Sequence, residues 1–126
     1  MIVAIGTDIV EIARIRGVLE RHGRSFAQRI LCPRELLRFD QHSNPPAYLA
    51  KRFAAKEALV KALGTGIGKV SWQDMEVANN EAGAPYFILG GAAQSLMEEL
   101  RADEALLSLS DEQEYALAFV VLSKHR

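Results

Sequence analysis

The chain has one cysteine, three histidines, four prolines and no long apolar run, and each shortage closes off a class of function. A lone thiol, Cys32, forbids an intrachain disulfide and leaves no thiolate set for zinc. It stands between Leu31 and Pro33 with no histidine beside it, the setting of an idle or buried thiol and not of a nucleophile. His22, His42 and His125 are scattered without metal-ligand spacing. No Gly-x-Ser-x-Gly elbow is present, and Ser108 and Ser110 alternate with Leu107 and Leu109 like exposed strand positions, so Ser-His-Asp hydrolysis has no support. The longest smoothly apolar stretch, Tyr115 to Ser123, is too short to span a bilayer. The opening MIVAIGTDIVEI lacks a basic n-region and meets an acid at Asp8, unlike a secretory signal. A cytoplasmic protein with no membrane partner is the expectation. A net charge of −1 gives no reason to expect nucleic acid either.

What is present fits one domain over residues 1–126, with 49% hydrophobic and 25% charged residues. Ile2 to Ile5 reads as a short buried strand that ends in a turn at Gly6-Thr7-Asp8. Ile9 to His22 reads as a helix with Ile12, Ile15, Val18 and Leu19 on one face and Arg14 and Arg21 on another, stopped by Gly23. Pro33 opens a second, short helix. Ala47 to Leu63, AYLAKRFAAKEALVKAL, is the strongest helical segment, free of glycine and proline until Gly64. Trp72 to Ala78 and Tyr86 to Leu89 read as strands, Gly90-Gly91 precedes a helix through Leu100, and the end reads as two strands about Asp111-Glu112-Gln113. The class predicted is α+β, with mostly antiparallel strands and one long central helix.

Charge is unevenly spread. Ala13 to Arg29 holds Arg14, Arg16, Arg21, Arg24 and Arg29 against one acid, Glu20, so a net +4 segment sits on an otherwise acidic chain. Such a segment is either a solvated helix face or a surface for an anionic partner. Asp8, after an apolar strand, either caps the following helix or meets a cation. Glu57 either pairs with Lys61 four residues on, or works in a site that the small neighbours Ala54, Ala55, Ala58 and Ala62 let another backbone or a ligand approach. Two carboxylates from separate elements suffice for Mg²⁺, which takes one or two of them with water and phosphate oxygens. Lys61 and Arg52, on the same helix, are candidates to neutralise phosphate charge. The loop Gly64 to Lys69, GTGIGK, fits neither the P-loop nor the dinucleotide fingerprint, and it follows a helix where both of those follow a strand.

Two ordered motifs carry a resemblance. Gly6-Thr7-Asp8-Ile9-Val10-Glu11-Ile12 with Arg14, and Arg52-Phe53-Ala54-Ala55-Lys56-Glu57-Ala58 with Lys61-Ala62 and Gly64-Thr65-Gly66-Ile67, resemble the two signatures of the small bacterial holo-acyl-carrier-protein synthases. Gly83-x-Pro85 and Leu107 to Glu112 with Tyr115-Ala116 extend the likeness over nearly the whole chain. The resemblance implies the 4′-phosphopantetheinyl transferase fold and transfer of 4′-phosphopantetheine from coenzyme A to a serine of apo-acyl carrier protein, releasing adenosine 3′,5′-bisphosphate. It implies Asp8 and Glu57 as Mg²⁺ ligands and Lys61 as a phosphate contact; beside it, the residues themselves offer Glu57 and Lys61 as catalytic groups and Arg52, Lys61 and Gly64 as coenzyme A contacts. It further implies Arg14 as a carrier-protein contact, with Arg21 on the same helix face as a second candidate, and a homotrimer with sites between subunits. One position departs: where some members carry a histidine near the coenzyme phosphates, this chain has Asp111, whose ionised carboxylate cannot donate to phosphate. The competing readings are a Mg²⁺-dependent pyrophosphohydrolase and a non-catalytic module that binds an acidic protein.

Overall fold

The computed structural model describes residues 1–65 and 68–125. Gly66 and Ile67, in the middle of the GTGIGK loop, lie outside the described residues. Five strands and five helices are described, in the order β1 (Ile2–Glu11), α1 (Ile12–His22), α2 (Arg24–Ile30), α3 (Pro33–Gln41), α4 (Pro45–Leu63), β2 (Met75–Asn79), β3 (Pro85–Leu89), α5 (Gly91–Glu99), β4 (Glu104–Asp111) and β5 (Tyr115–Ser123). The strands form two antiparallel sheets, β1-β5-β4 and the hairpin β2-β3. The α+β reading is borne out.

Helix α4 is central. Thirteen of its nineteen residues are buried, on every side of the helix. It is enclosed over most of its surface and opens at a few positions, Lys61 among them. β1, β4 and β5 cover one side, and α1, α2, α3, α5 and β2 pack around the rest. Asn44 caps its start by accepting from the Ala47 amide, and Gly64 ends it in the left-handed region at φ 76°, where a side chain would be strained.

β1 is longer than the sequence reading. It runs through Gly6-Thr7-Asp8 to Glu11, paired with β5 from Gly6↔Val120 to Glu11↔Tyr115. Helix α1 therefore starts at Ile12, not Ile9, and Asp8 is a strand residue, not a helix cap. Strand alternation explains the placement: Ala4, Gly6, Asp8 and Val10 turn towards α4, while Ile5, Thr7 and Ile9 turn away. Glycine at position 6 makes no turn. A Cβ there would stand 2.0 Å from the Ala58 carbonyl oxygen and 2.8 Å from the Ala62 amide nitrogen, so β1 lies directly against the α4 backbone.

Two further boundaries differ. Arg24–Ile30, which the sequence reading left unassigned, forms α2, a helix too short for periodicity to reveal. Trp72–Asp74 is a 3-10 turn, with Ser71 accepting from Gln73 and Asp74 reaching back to the Ser71 amide, so the strand begins at Met75.

A buried ion pair ties the helical layer together. Lys56 and Glu35 are fully enclosed and meet at 2.7 Å. The Lys56 ammonium also donates to the carbonyls of Ile30 and Trp72, at 2.7 and 3.3 Å. Glu35 in turn accepts from the amides of Cys32 and Val77, at 2.8 and 3.0 Å. Charge, carbonyls and amides are all paired, the condition under which such a pair is tolerated away from water.

Candidate active site

β1 and α4 bring three of the expected residues together. Lys61 donates to Asp8 Oδ1 at 3.1 Å and to the Thr7 carbonyl at 3.0 Å. Glu57 lies one helical turn before Lys61 and on the same face. Burial pushes its carboxyl up from the ordinary range. The neighbouring Asp8 charge pushes the same way, and Lys61 opposes both. Two carboxylates in mutual repulsion, with one ammonium against Asp8, make an electrostatically unfinished site.

Asp8 and Glu57 line a cleft of about 420 Å³ together with Arg14. Its other walls are Ile9, Val10, Ile15, Val18, Phe26 and Phe53. The acidic pair thus sits at the polar end of an apolar trough that also carries an α1 arginine. The sequence reading missed Phe26 and Phe53. Phe53 stands four residues before Glu57, which was a usable signal, and it stacks on Trp72 with ring centroids 5.3 Å apart. Phe26 arrives through α2 and had no such signal.

Arg21, exposed in the last turn of α1, is not among the residues lining the cleft. Gly64 follows Lys61 by three residues, and the space beside its Cα is open.

Arg52 is elsewhere. Nine residues separate it from Lys61, about half a turn in angle on a helix of 3.6 residues per turn, so the two point away from each other. Within a single chain, then, any phosphate charge that Arg52 and Lys61 neutralise lies on different sides of α4. Arg52 is buried over the Tyr48 ring, 4.4 Å from its centroid, and donates to Asn79 Oδ1 at 2.7 Å. It lines a second cleft, of about 510 Å³, with Arg38, His42 and Lys51. Its Nε and the Tyr48 hydroxyl have no partner there. Asp111, at the end of β4, lies 3.7 Å from Lys51.

Cys32 is buried, and enclosure raises its thiol to about 11, so it is protonated and inert.

The chain belongs to the 4′-phosphopantetheinyl transferase superfamily, whose model matches residues 4–120. Its relatives narrow the class to the holo-[acyl-carrier-protein] synthases. That of Halorhodospira halophila is 54% identical over 123 residues, covering 97% of this chain and 98% of its own. The crystal structure of the synthase from Neisseria meningitidis superposes with a TM-score of 0.91 at 49% identity, covering 98% of this chain and all of its own. A Helicobacter pylori synthase solved in complex with coenzyme A superposes at 0.82 with 33% identity, covering 94% of this chain and 99% of its own.

Proposed function

We propose that this protein transfers the 4′-phosphopantetheine moiety of coenzyme A to a serine of apo-acyl carrier protein, giving holo-carrier protein and adenosine 3′,5′-bisphosphate. The observation that carries the reading is the convergence of Asp8, Glu57 and Lys61 at the head of a cleft bearing Arg14. Family membership and the relatives' full-length match support it.

The serine oxygen attacks the phosphorus attached to pantetheine. A new O–P bond forms, the bridging P–O bond breaks, and the bisphosphate leaves with the electron pair. Lys61 is placed to hold the negative charge gathering on the phosphate oxygens. Its present partners, Asp8 and the Thr7 carbonyl, keep the ammonium aimed there. Glu57 is the proposed acceptor of the serine proton.

Asp8 and Glu57 fit Mg²⁺. They are two carboxylates from different elements whose repulsion a divalent cation would relieve, and no larger ligand cluster exists among the described residues. When bound, the ion would supply charge neutralisation on the pyrophosphate.

We assign Arg14 and Arg21 to carrier docking, and Arg52 and Gly64 to coenzyme A. Coenzyme A carries a ribose phosphate distant from its pyrophosphate, and the basic cleft of Arg38, Lys51 and Arg52 suits that second anion better than the first. A homotrimer is the proposed assembly. Its support is the sheet face opposite α4, where Ile5, Ile9, Leu106, Leu117 and Phe119 stand exposed together. The cytoplasm is the proposed compartment; a lone reduced cysteine suits it, and no helix described is long and apolar enough to cross a membrane.

Incubation with coenzyme A, Mg²⁺ and apo-carrier protein tests the reading. A carrier that gains one phosphopantetheine by mass supports it. Coenzyme A cleavage with an unchanged carrier means a hydrolase, and neither change leaves only a binding module.

A further inference from the structure

Gly6 stands where β1 lies directly against the α4 backbone. Its Cα lies over the hydrogen bond that joins the Ala58 carbonyl to the Ala62 amide within α4, so a single added methyl would drive into backbone and not into a movable side chain. The residues on either side of that contact are the ones the reaction uses. Glu57 precedes Ala58, Lys61 precedes Ala62, and Asp8 follows Gly6 by two positions on the same strand face. Position 6 is also paired in register with Val120 of β5, so the strand cannot rotate or slide to make room without breaking its ladder. Any side chain at position 6 would therefore lift β1 bodily from α4, and Asp8 with it.

We infer that Gly6 is a positioning residue: its missing side chain sets the β1–α4 spacing at which the Asp8 carboxylate shares one site with Glu57 and Lys61. The contact stores no chemistry of its own. It acts through Asp8, whose 3.1 Å contact to Lys61 depends on that spacing. A Cβ at 2.0 Å from backbone must be moved out by at least about 1 Å to escape the clash, and by more to reach an ordinary contact. A shift of that size at a reacting centre costs on the order of 10²-fold in rate.

The inference rests on the metal-pair reading of Asp8 and Glu57, and its test separates the two. Mn²⁺ binding to the coenzyme-free protein, followed by water proton relaxation, is measured alongside turnover. The parent should bind Mn²⁺ at one site that Asp8→Asn removes; a parent indifferent to that change sinks the metal-pair reading itself. Folded Gly6→Ala should bind Mn²⁺ at least tenfold more weakly and lose about a hundredfold in kcat. Adding Asp8→Glu, whose extra methylene lengthens the reach of the carboxylate, should recover part of both losses. Met97→Ala, a core truncation in α5, controls for lost stability and should bind Mn²⁺ like the parent. A folded Gly6→Ala with parental Mn²⁺ affinity and kcat overturns the inference. So does a Met97→Ala protein that loses Mn²⁺ affinity to the same degree, since the effect would then be loosening in general. If Gly6→Ala does not fold, Ala58→Ser applies a milder wedge from the helix side, and the same two outcomes decide.

Discussion

Replacing Lys56 by methionine should cost more stability than any other single change in α4 that leaves its apolar residues alone. The ammonium donates to three acceptors from three segments: Glu35 on α3, the last carbonyl of α2, and the carbonyl of Trp72. Methionine fills much of the same volume but donates nothing. Glu35 keeps the Cys32 and Val77 amides, so its charge is partly held, while the two carbonyls lose their donor. Removing one partner of a buried pair costs about 3–5 kcal/mol. Against a total stability of about 5–15 kcal/mol, that leaves a marginal protein. For a chain of this length it corresponds to a fall in Tm of roughly 10–30 °C, at about 3–6 °C per kcal/mol. Urea denaturation of the parent, Lys56→Met, Glu35→Gln and the double variant is the assay. The double variant removes both charges and should recover about 1–3 kcal/mol relative to the sum of the single losses. A Lys56→Met protein that loses less than about 1 kcal/mol, a loss typical of an exposed pair, would refute the reasoning, as would simple additivity in the cycle.

Glu57→Gln should abolish turnover while leaving a folded protein, and near-normal kcat would remove Glu57 from the mechanism. The same variant should be at least as heat-stable as the parent at neutral pH. Because the folded-state pKa of Glu57 is raised, its contribution to stability is present below the ordinary carboxylate pKa and is lost as pH rises through the folded value. The advantage of glutamine should therefore shrink as pH falls through the raised folded value and be gone below about pH 4, as a series of melting curves would show. Arg14→Glu should weaken carrier binding more than coenzyme A binding; equal losses in the two titrations would count against a docking helix. Phe119→Asp should lower the assembly's mass in light scattering, and an unchanged mass would leave the exposed sheet face without its proposed role.

Much of the fold was legible because periodicity is a strong signal in long elements. α4 and the terminal hairpin were found nearly to the residue. β1 was cut short for a physical reason: glycine and aspartate are turn formers, and here each serves something else. Gly6 gives up its side chain to the α4 backbone, and Asp8 faces the site. Tertiary packing overrode local preference. The acidic pair and Lys61 were readable from type and spacing. Arg52 and Lys61 were rightly placed on one helix, but which side each faces had to be read from the phase, since nine residues is half a turn. Lys56 was passed over for its neighbour Glu57. Its signal was the apolar set Leu49, Leu59 and Val60 at spacings of seven, three and four, which marks an inward-facing position for a lysine.

The exposed apolar face of the β1-β5-β4 sheet has a practical consequence. If its cover is a second copy of the chain, protein concentration becomes a thermodynamic variable. Melting temperature should climb as the sample is concentrated, and specific activity should fall on dilution below the association range, because only the assembled form hides those side chains. Measurements made at nanomolar enzyme and at crystallographic concentrations would then describe different species of the same molecule.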